Sequence, residues 1–439
     1  MSSLQELRFK KQLKKIIMFD LDKWQEIFAA LKKNKMRTFL TAFGVFWGIF
    51  MLIIMLGSGR GLQNAVFDGM KDFATNSLFV WTQPTSEPYD GFPRGRRFYF
   101  RNDDIEALRN NIPEIDIIAP RLQAGGGTSS TDNVTRGIKT GSFTVNGDYP
   151  EWNLIDPVKM LDGRFLNHLD LLQKRKVAVI GDMVKDILFG KDEDPLGEYI
   201  RINGVYFQVV GVFSPLNSNI GFGGDKAQSI YIPFTTLQQT YNYGNIVGWF
   251  AITAREDVPV GIVDDKVREL LKRRHRVAPH DNHAIAGVNL EEQFIRVKGL
   301  FLGIDVLIWI VGIGTLLAGV IGISNIMLIV VKERTKEIGI QRALGATPRK
   351  IISQIISESV FLTTIAGYMG LSLAVFLLEL INRALLASGA DNQAFKNPEV
   401  DLNIAIAALI ILIVAGAFAG LMPANRAISI KPIDALRDE

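Results

Sequence analysis

Four stretches of the chain are almost wholly apolar, and charge gathers at their ends. Thr38 to Gly59 and Val306 to Val331 carry no charged residue, Ile351 to Leu378 carries only Glu358, and Leu402 to Met422 carries none. Each can cross the hydrocarbon core of a bilayer, which takes roughly 20 apolar residues. Between the first and second lies a long segment of mixed pattern. Lys176 to Ile180 reads as a short apolar strand, and Asp182 to Phe189 as a helix stopped by Gly190. Tyr199 to Ile202 and Val205 to Val210 flank Asn203-Gly204, a hairpin signal. Ser229 to Pro233 and Trp249 to Thr253 read as further strands. Ile262 to Leu271 reads as a helix with Ile262, Val263, Val267, Leu270 and Leu271 on one face. The expected fold is therefore membrane α-helical, with four transmembrane helices and an inserted α/β (α+β) extracytoplasmic domain.

The flanks of that segment continue helically. Leu62, Val66, Met70 and Phe73 form one stripe, and Leu290, Phe294, Val297 and Phe301 another. Together they predict two helices rising from the membrane as a stalk and meeting through a narrow seam. The expected order is a basic amphipathic helix over 1–36, a first span over 37–59 and an outer domain with its stalk over 60–298. A stalk end and second span follow over 299–331, then a short cytoplasmic helix over 332–350 and a third span over 351–386. A short outer loop over 387–401, a fourth span over 402–423 and a cytoplasmic tail over 424–439 complete the chain. In the amino-terminal part, Leu21, Trp24, Ile27, Phe28 and Leu31 recur at helical spacing among many lysines, as in a helix lying in the headgroup layer.

Small residues mark where these helices can approach closely. They are Gly44 and Gly48 in the first span, Gly314, Ala318 and Gly322 in the second, and Gly416 and Gly420 in the fourth. Between the second and third spans, Lys332, Arg334, Lys336, Arg342, Arg349 and Lys350 outnumber Glu333 and Glu337, which places this stretch on the cytoplasmic side. Gly345 is a helix stop, and Thr347-Pro348 supplies a cap and first-turn proline for the next helix. The stretch is therefore a short helix clipped at both ends.

Glu333-Arg334-Thr335-x-Glu337-Ile338-Gly339-Ile340-x-Arg342-Ala343-Leu344-Gly345-Ala346 closely resembles the coupling-helix signature of FtsX-like permeases, four-span subunits of ABC systems. The tail, Pro423 to Ala427 and Lys431 to Arg437, resembles the same family, with Asp434 where glutamate is usual. Leu161-Asp-Gly-Arg-Phe165, Val177 to Gly181, Leu188-Phe-Gly190, Asp194-Pro-Leu-Gly197 and Val209-Val-Gly-Val212 come in the order of the MacB-like periplasmic core domain and resemble it. The resemblance implies that Glu333, Arg334, Glu337, Ile338, Gly339, Arg342, Ala343, Leu344 and Gly345 contact an ABC ATPase, Ile338 and Leu344 filling its groove. It implies a homodimer or a pair with a paralogous permease, a periplasmic adaptor and an outer-membrane channel as further partners, and a bacterial inner membrane with both termini cytoplasmic. The implied activity is export driven by mechanotransmission. The alternatives are release of lipoproteins and activation of a cell-wall hydrolase without transport.

Composition adds limits. Of 439 residues, 48% are hydrophobic and 21% charged, which suits several spans plus a sizeable water-facing domain. The net charge of +4 follows the flanks of the spans, so the expected surface partner is anionic lipid and not nucleic acid. There is no cysteine, hence no disulfide or thiolate metal site. The only Gly-Lys pair, Gly190-Lys191, is followed by Asp192 and is no phosphate loop. ATP and magnesium are therefore expected on a separate ATPase, with no cofactor on this chain. His280 and His283, with His275 nearby, invite a metal reading, but two histidines three apart need a third ligand and a second shell, neither of which is evident. A solvated polar turn after Pro279 is therefore expected, and no catalytic constellation is apparent. Two loops rich in glycine and proline, Ser86 to Arg97 and Ser214 to Asp225, are expected to be mobile and to contact partner or cargo. Glu358 is expected at the interface, snorkelling or paired with Lys350 or Arg349.

Overall fold

A computed structural model describes residues 35–70, 73–126, 132–190, 193–216, 225–387, 395–400 and 402–429. The amphipathic helix expected before residue 35, the end of the tail after 429 and residues 217–224 of the second loop lie outside the described residues. The chain divides into two compact units, one formed by residues 1–64 and 301–439 and the other by residues 65–300.

The first unit is helical. Its long helices are Lys35–Met70, Leu290–Glu333, Pro348–Ala387 and Leu402–Ile428, and all four are long and apolar enough to cross a membrane. The first and second therefore extend beyond the apolar runs on the side of the inserted domain. Val45, Ile49, Leu52 and Leu56 share a core with Ile308, Leu316 and Ile323. Small residues set the distances. A Cβ on Gly319 would meet the Gly44 carbonyl oxygen at 3.3 Å, and one on Gly48 would meet the Thr315 oxygen at 3.3 Å. The first-span pair thus packs against the second helix of its own chain. Gly416 lies against Thr363, and Gly420 against Ser359 and Ile356, so the fourth helix seats on the third; Ser359 Oγ donates to the Gly416 carbonyl at 2.8 Å.

Gly314, Ala318 and Gly322 do not take part. No side chain or backbone lies within 4 Å of a Cβ on Gly314 or Gly322, and Ala318 is exposed. The reason is phase: Gly312 and Gly319 occupy the inward side of that helix, and a Cβ on Gly312 would strike Leu52 at 2.3 Å. Pro423 does not end the fourth helix, which runs on to Ile428. Ala424 and Ala427 are fully buried there, and that packing outweighs the one backbone hydrogen bond a proline forfeits.

The second unit is an α/β domain. Its strands are β1 Ser77–Thr82, β2 Phe100–Arg101, β3 Ile115–Gln123, β4 Asp132–Arg136, β5 Lys139–Asp148, β6 Val158–Gly163 and β7 Val177–Gly181. They continue as β8 Tyr199–Ile202, β9 Val205–Pro215, β10 Ser229–Pro233, β11 Ile246–Val247, β12 Trp249–Ala254 and β13 Ile285–Asn289. Among the described residues, eleven strands form one sheet in the order β10-β7-β9-β8-β4-β5-β3-β12-β1-β13, with β6 on β9 and β10 also pairing with β5. That last pairing closes six strands on themselves and leaves β3, β12, β1 and β13 as an extension. The uninterrupted apolar runs explain the middle of the sheet, since β7, β10 and β12 are buried on both faces. The hairpin between β8 and β9 turns at Asn203 and Gly204, with φ of 46° and 82°, values that favour asparagine and glycine.

The expected stalk seam is only partly met. Phe67 and Phe294 stack edge to face at 5.2 Å, whereas Leu62 is exposed and Phe73 lies past the helix end, under the ammonium of Lys226. Deep in the same domain, Arg121 forms a two-pronged pair with Asp148 at 2.5 and 2.6 Å beneath Trp152. Such a buried pair is tolerated because the two charges meet through two parallel hydrogen bonds.

Asp170 is buried and accepts from Arg164 at 2.7 Å and from the backbone of Asn167 at 3.0 Å. Burial alone would push its carboxyl up, but the bonds from Arg164 and Asn167 outweigh this and hold it below the usual 3.8. A depressed folded value means the stabilisation is complete above the unfolded value and is lost as pH falls through the folded one. Asp170→Ala is expected to cost about 2 kcal/mol at neutral pH. The difference from wild type should stay level down to about pH 4 and shrink below it. Denaturant titrations of both proteins at several pH values measure this, and a difference that vanishes already near pH 6 would contradict it.

Candidate coupling site

The second long helix ends at Glu333 because Arg334 leaves the helical region, with φ −96° and ψ 15°. A short helix, Thr335–Ala343, follows. Its far end is closed by Gly345 at φ 96°, the left-handed position that glycine adopts without strain. The amide of Gly345 donates to the Arg342 carbonyl at 3.0 Å, and that of Ala346 to Gln341 at 2.9 Å, which together form a Schellman closure. The next helix starts at Pro348, with the Thr347 carbonyl accepting from Lys350.

This short helix has an inner and an outer face. Arg334 at the break donates to Glu358 of the third helix at 3.0 Å and lies 3.3 Å from Glu337. Glu358 keeps 6% of its side chain exposed. Its partner is Arg334, and not Lys350 or Arg349 as the sequence suggested. Those two residues lie on the exposed first turn of the third helix, whereas Glu358 faces inward two turns further on. Ile338 is 8% exposed and belongs to a core with Met327, Val331, Ile351 and Ile355. Gly339 is buried beside it. Arg342 donates to the carbonyl of Ile428, the last residue of the fourth helix, at 2.7 Å. A guanidinium at a helix C-terminus satisfies an orphan carbonyl and opposes the helix dipole.

The outer face carries Glu333, Lys336, Glu337, Ile340, Ala343, Leu344 and Gly345. Ile340 is 47% and Leu344 84% exposed.

Two family descriptions match the chain. The MacB-like periplasmic core domain covers residues 38–270, and the FtsX-like permease C-terminal region covers residues 309–432. The chain belongs to the MacB-like permease family. It is similar to the pyoverdine export ATP-binding/permease protein PvdT of Pseudomonas savastanoi pv. phaseolicola, at 31% identity over 95% of this chain and 60% of that protein. The macrolide export ATP-binding/permease protein MacB of Bdellovibrio bacteriovorus is 29% identical over 100% of this chain and 65% of its own length. The chain thus spans less than two thirds of these relatives.

Within this MacB-like permease, the residues singled out from sequence separate into two sets. Arg334, Ile338, Gly339 and Arg342 face their own chain, so Ile338 cannot fill a partner's groove while this packing holds. Glu333, Glu337, Ala343, Leu344 and Gly345 face outward. Sequence reasoning missed Lys336 and Ile340, although Lys336, Ile340 and Leu344 recur every fourth residue and so share one face. For Glu358 it found the charge but not the partner, which lies 24 residues away and gives no local signal.

Proposed function

We propose that this chain is the permease subunit of an ABC exporter, and that the outer face of Thr335–Ala343 docks on a separate ATPase subunit. One observation carries the reading: the helix is fastened to two other helices through Arg334–Glu358 and Arg342–Ile428, while Ile340 and Leu344 remain outward. A segment held so rigidly moves with its unit when pushed. Helices Lys35–Met70 and Leu290–Glu333 each contribute residues to both units, so displacement passes along continuous helix without a pore. ATP and magnesium act on the partner. The motion opens or closes the periplasmic domains of a homodimer or of a pair with a paralogous permease, with a periplasmic adaptor and an outer-membrane channel receiving the cargo. The protein sits in the inner membrane with both termini cytoplasmic.

Affinity purification of the tagged protein from native membranes, with mass spectrometry of the eluate, tests this. An ABC ATPase together with an adaptor or outer-membrane channel is the expected result. An ATPase with lipoprotein carriers, or with a cell-wall hydrolase, would replace export by lipoprotein release or hydrolase activation. The absence of any ATPase, under conditions that preserve other ABC complexes, would overturn the docking reading itself.

A further inference from the structure

One cleft of the sheet domain has a chemistry that the coupling reading does not use. It encloses about 810 Å³ and is lined by five arginines, Arg96, Arg97, Arg101, Arg274 and Arg276, against two aspartates, Asp103 and Asp104. The ion pairs show which arginines carry that excess. Arg274 takes both aspartates, Asp103 at 2.7 Å and Asp104 at 2.6 Å, and His275 also contacts Asp104 at 2.7 Å. Arg276 faces Asp90 at 3.4 Å. Among the described residues, Arg97 and Arg101 line the cleft with no carboxylate in ion-pairing range.

Aromatic rings also border the cleft. Phe92, Phe98, Tyr99 and Tyr243 line the same space, and Arg96 stacks on Phe92 at 4.1 Å from the ring centre. The first glycine-rich loop forms one wall, and contrary to its composition it is pinned. Asp281 accepts from Ser86 through backbone and hydroxyl, both at 2.7 Å, and Arg96 donates to the carbonyls of His275 and Arg276 at 2.5 and 3.0 Å. The cleft is thus formed in advance, so a ligand does not have to order it.

We propose that this cleft binds a small organic anion, with a carboxylate or phosphate group on Arg97 and Arg101 and a flat apolar body against the aromatic wall. Guanidinium groups match the planar, two-oxygen face of both anions. The volume falls in the range of small-molecule pockets, roughly 300–1,000 Å³, which favours such a ligand over an extended protein segment. The proposal rests on the sheet domain alone and stands apart from the ATPase reading.

The test uses the full chain in phosphatidylcholine nanodiscs and calorimetric titration with phenyl phosphate, inorganic phosphate and benzyl alcohol. Phenyl phosphate is expected to bind saturably at one site per chain. Inorganic phosphate, which leaves the aromatic wall unused, should bind about tenfold more weakly. Benzyl alcohol should give no saturable heat. Arg97→Gln combined with Arg101→Gln should weaken phenyl phosphate by at least about tenfold. Arg273→Gln, outside the cleft, should leave it unchanged, and near-ultraviolet circular dichroism reports that each variant is folded. No saturable phenyl phosphate binding, undiminished binding in the double variant, or equal binding of benzyl alcohol would overturn the proposal. Equal affinity for inorganic phosphate would overturn the part assigned to the aromatic wall.

Discussion

Glu358→Ala is expected to loosen the short helix at 335–343 without displacing the long helices. Removing this carboxylate leaves the Arg334 guanidinium, only 19% exposed, without its main partner. Breaking a buried pair from one side costs about 3–5 kcal/mol, because the remaining charge stays desolvated. Glu337 remains 3.3 Å from Arg334 and offsets part of that cost. The lower end, about 3 kcal/mol, corresponds to on the order of a hundredfold in the local opening equilibrium. Hydrogen exchange of the 334–346 backbone in nanodiscs reads this directly, and amides of the third helix should barely change. Glu358→Gln keeps an acceptor and should show a smaller rise. In Glu358→Ala with Arg334→Met, no unpaired charge is left, so part of the protection should return. Unchanged exchange in Glu358→Ala would show that Ile338 packing alone holds the helix.

Leu344→Asp is expected to release the ATPase while leaving the chain inserted and folded. Leu344 follows the short helix, at 84% exposure, so its replacement touches little of its own chain and should alter stability by less than about 0.5 kcal/mol. If it fills a groove on the partner, the same change buries a carboxylate in an apolar site. Interface anchors of this kind cost about 2 kcal/mol or more, roughly thirtyfold in affinity. The recovered ATPase per permease, measured after purification from native membranes, should fall by that order. Leu344→Met, which keeps the apolar volume, should recover it in full. Wild-type recovery with Leu344→Asp would remove Leu344 from the docking surface. The two substitutions also separate two roles: Glu358 fixes where the helix lies, whereas Leu344 acts only once a partner is present.

The positions of the four apolar helices were legible in the sequence because a bilayer demands about 20 apolar residues in a row, and that demand is local. The stop at Gly345 and the start at Pro348 were legible, since capping depends on residues within one turn, whereas the break at Arg334, which carries no side-chain cap, was not. The hairpin at Asn203-Gly204 and the strands β7, β10 and β12 followed from turn chemistry and apolar runs in the same way. Which side each helix presents was not legible. Gly314, Ala318 and Gly322 make as good a small-residue stripe as Gly44 and Gly48, yet only the latter pack within the chain, because helix rotation is set by the neighbours. The division of the 333–345 residues into inner and outer sets has the same cause. Ile338 and Ile340 are chemically alike, and only the third helix and its Glu358 decide which is buried. The arginine cleft is the extreme case. Its residues come from stretches about 170 positions apart, joined through Asp104 and Arg274, so nothing short of the tertiary structure brings them together. The sequence by itself determined the local, bilayer-imposed and turn-imposed features of this permease. Tertiary packing decided facing, pairing and the cleft, because those depend on contacts between residues far apart in the chain.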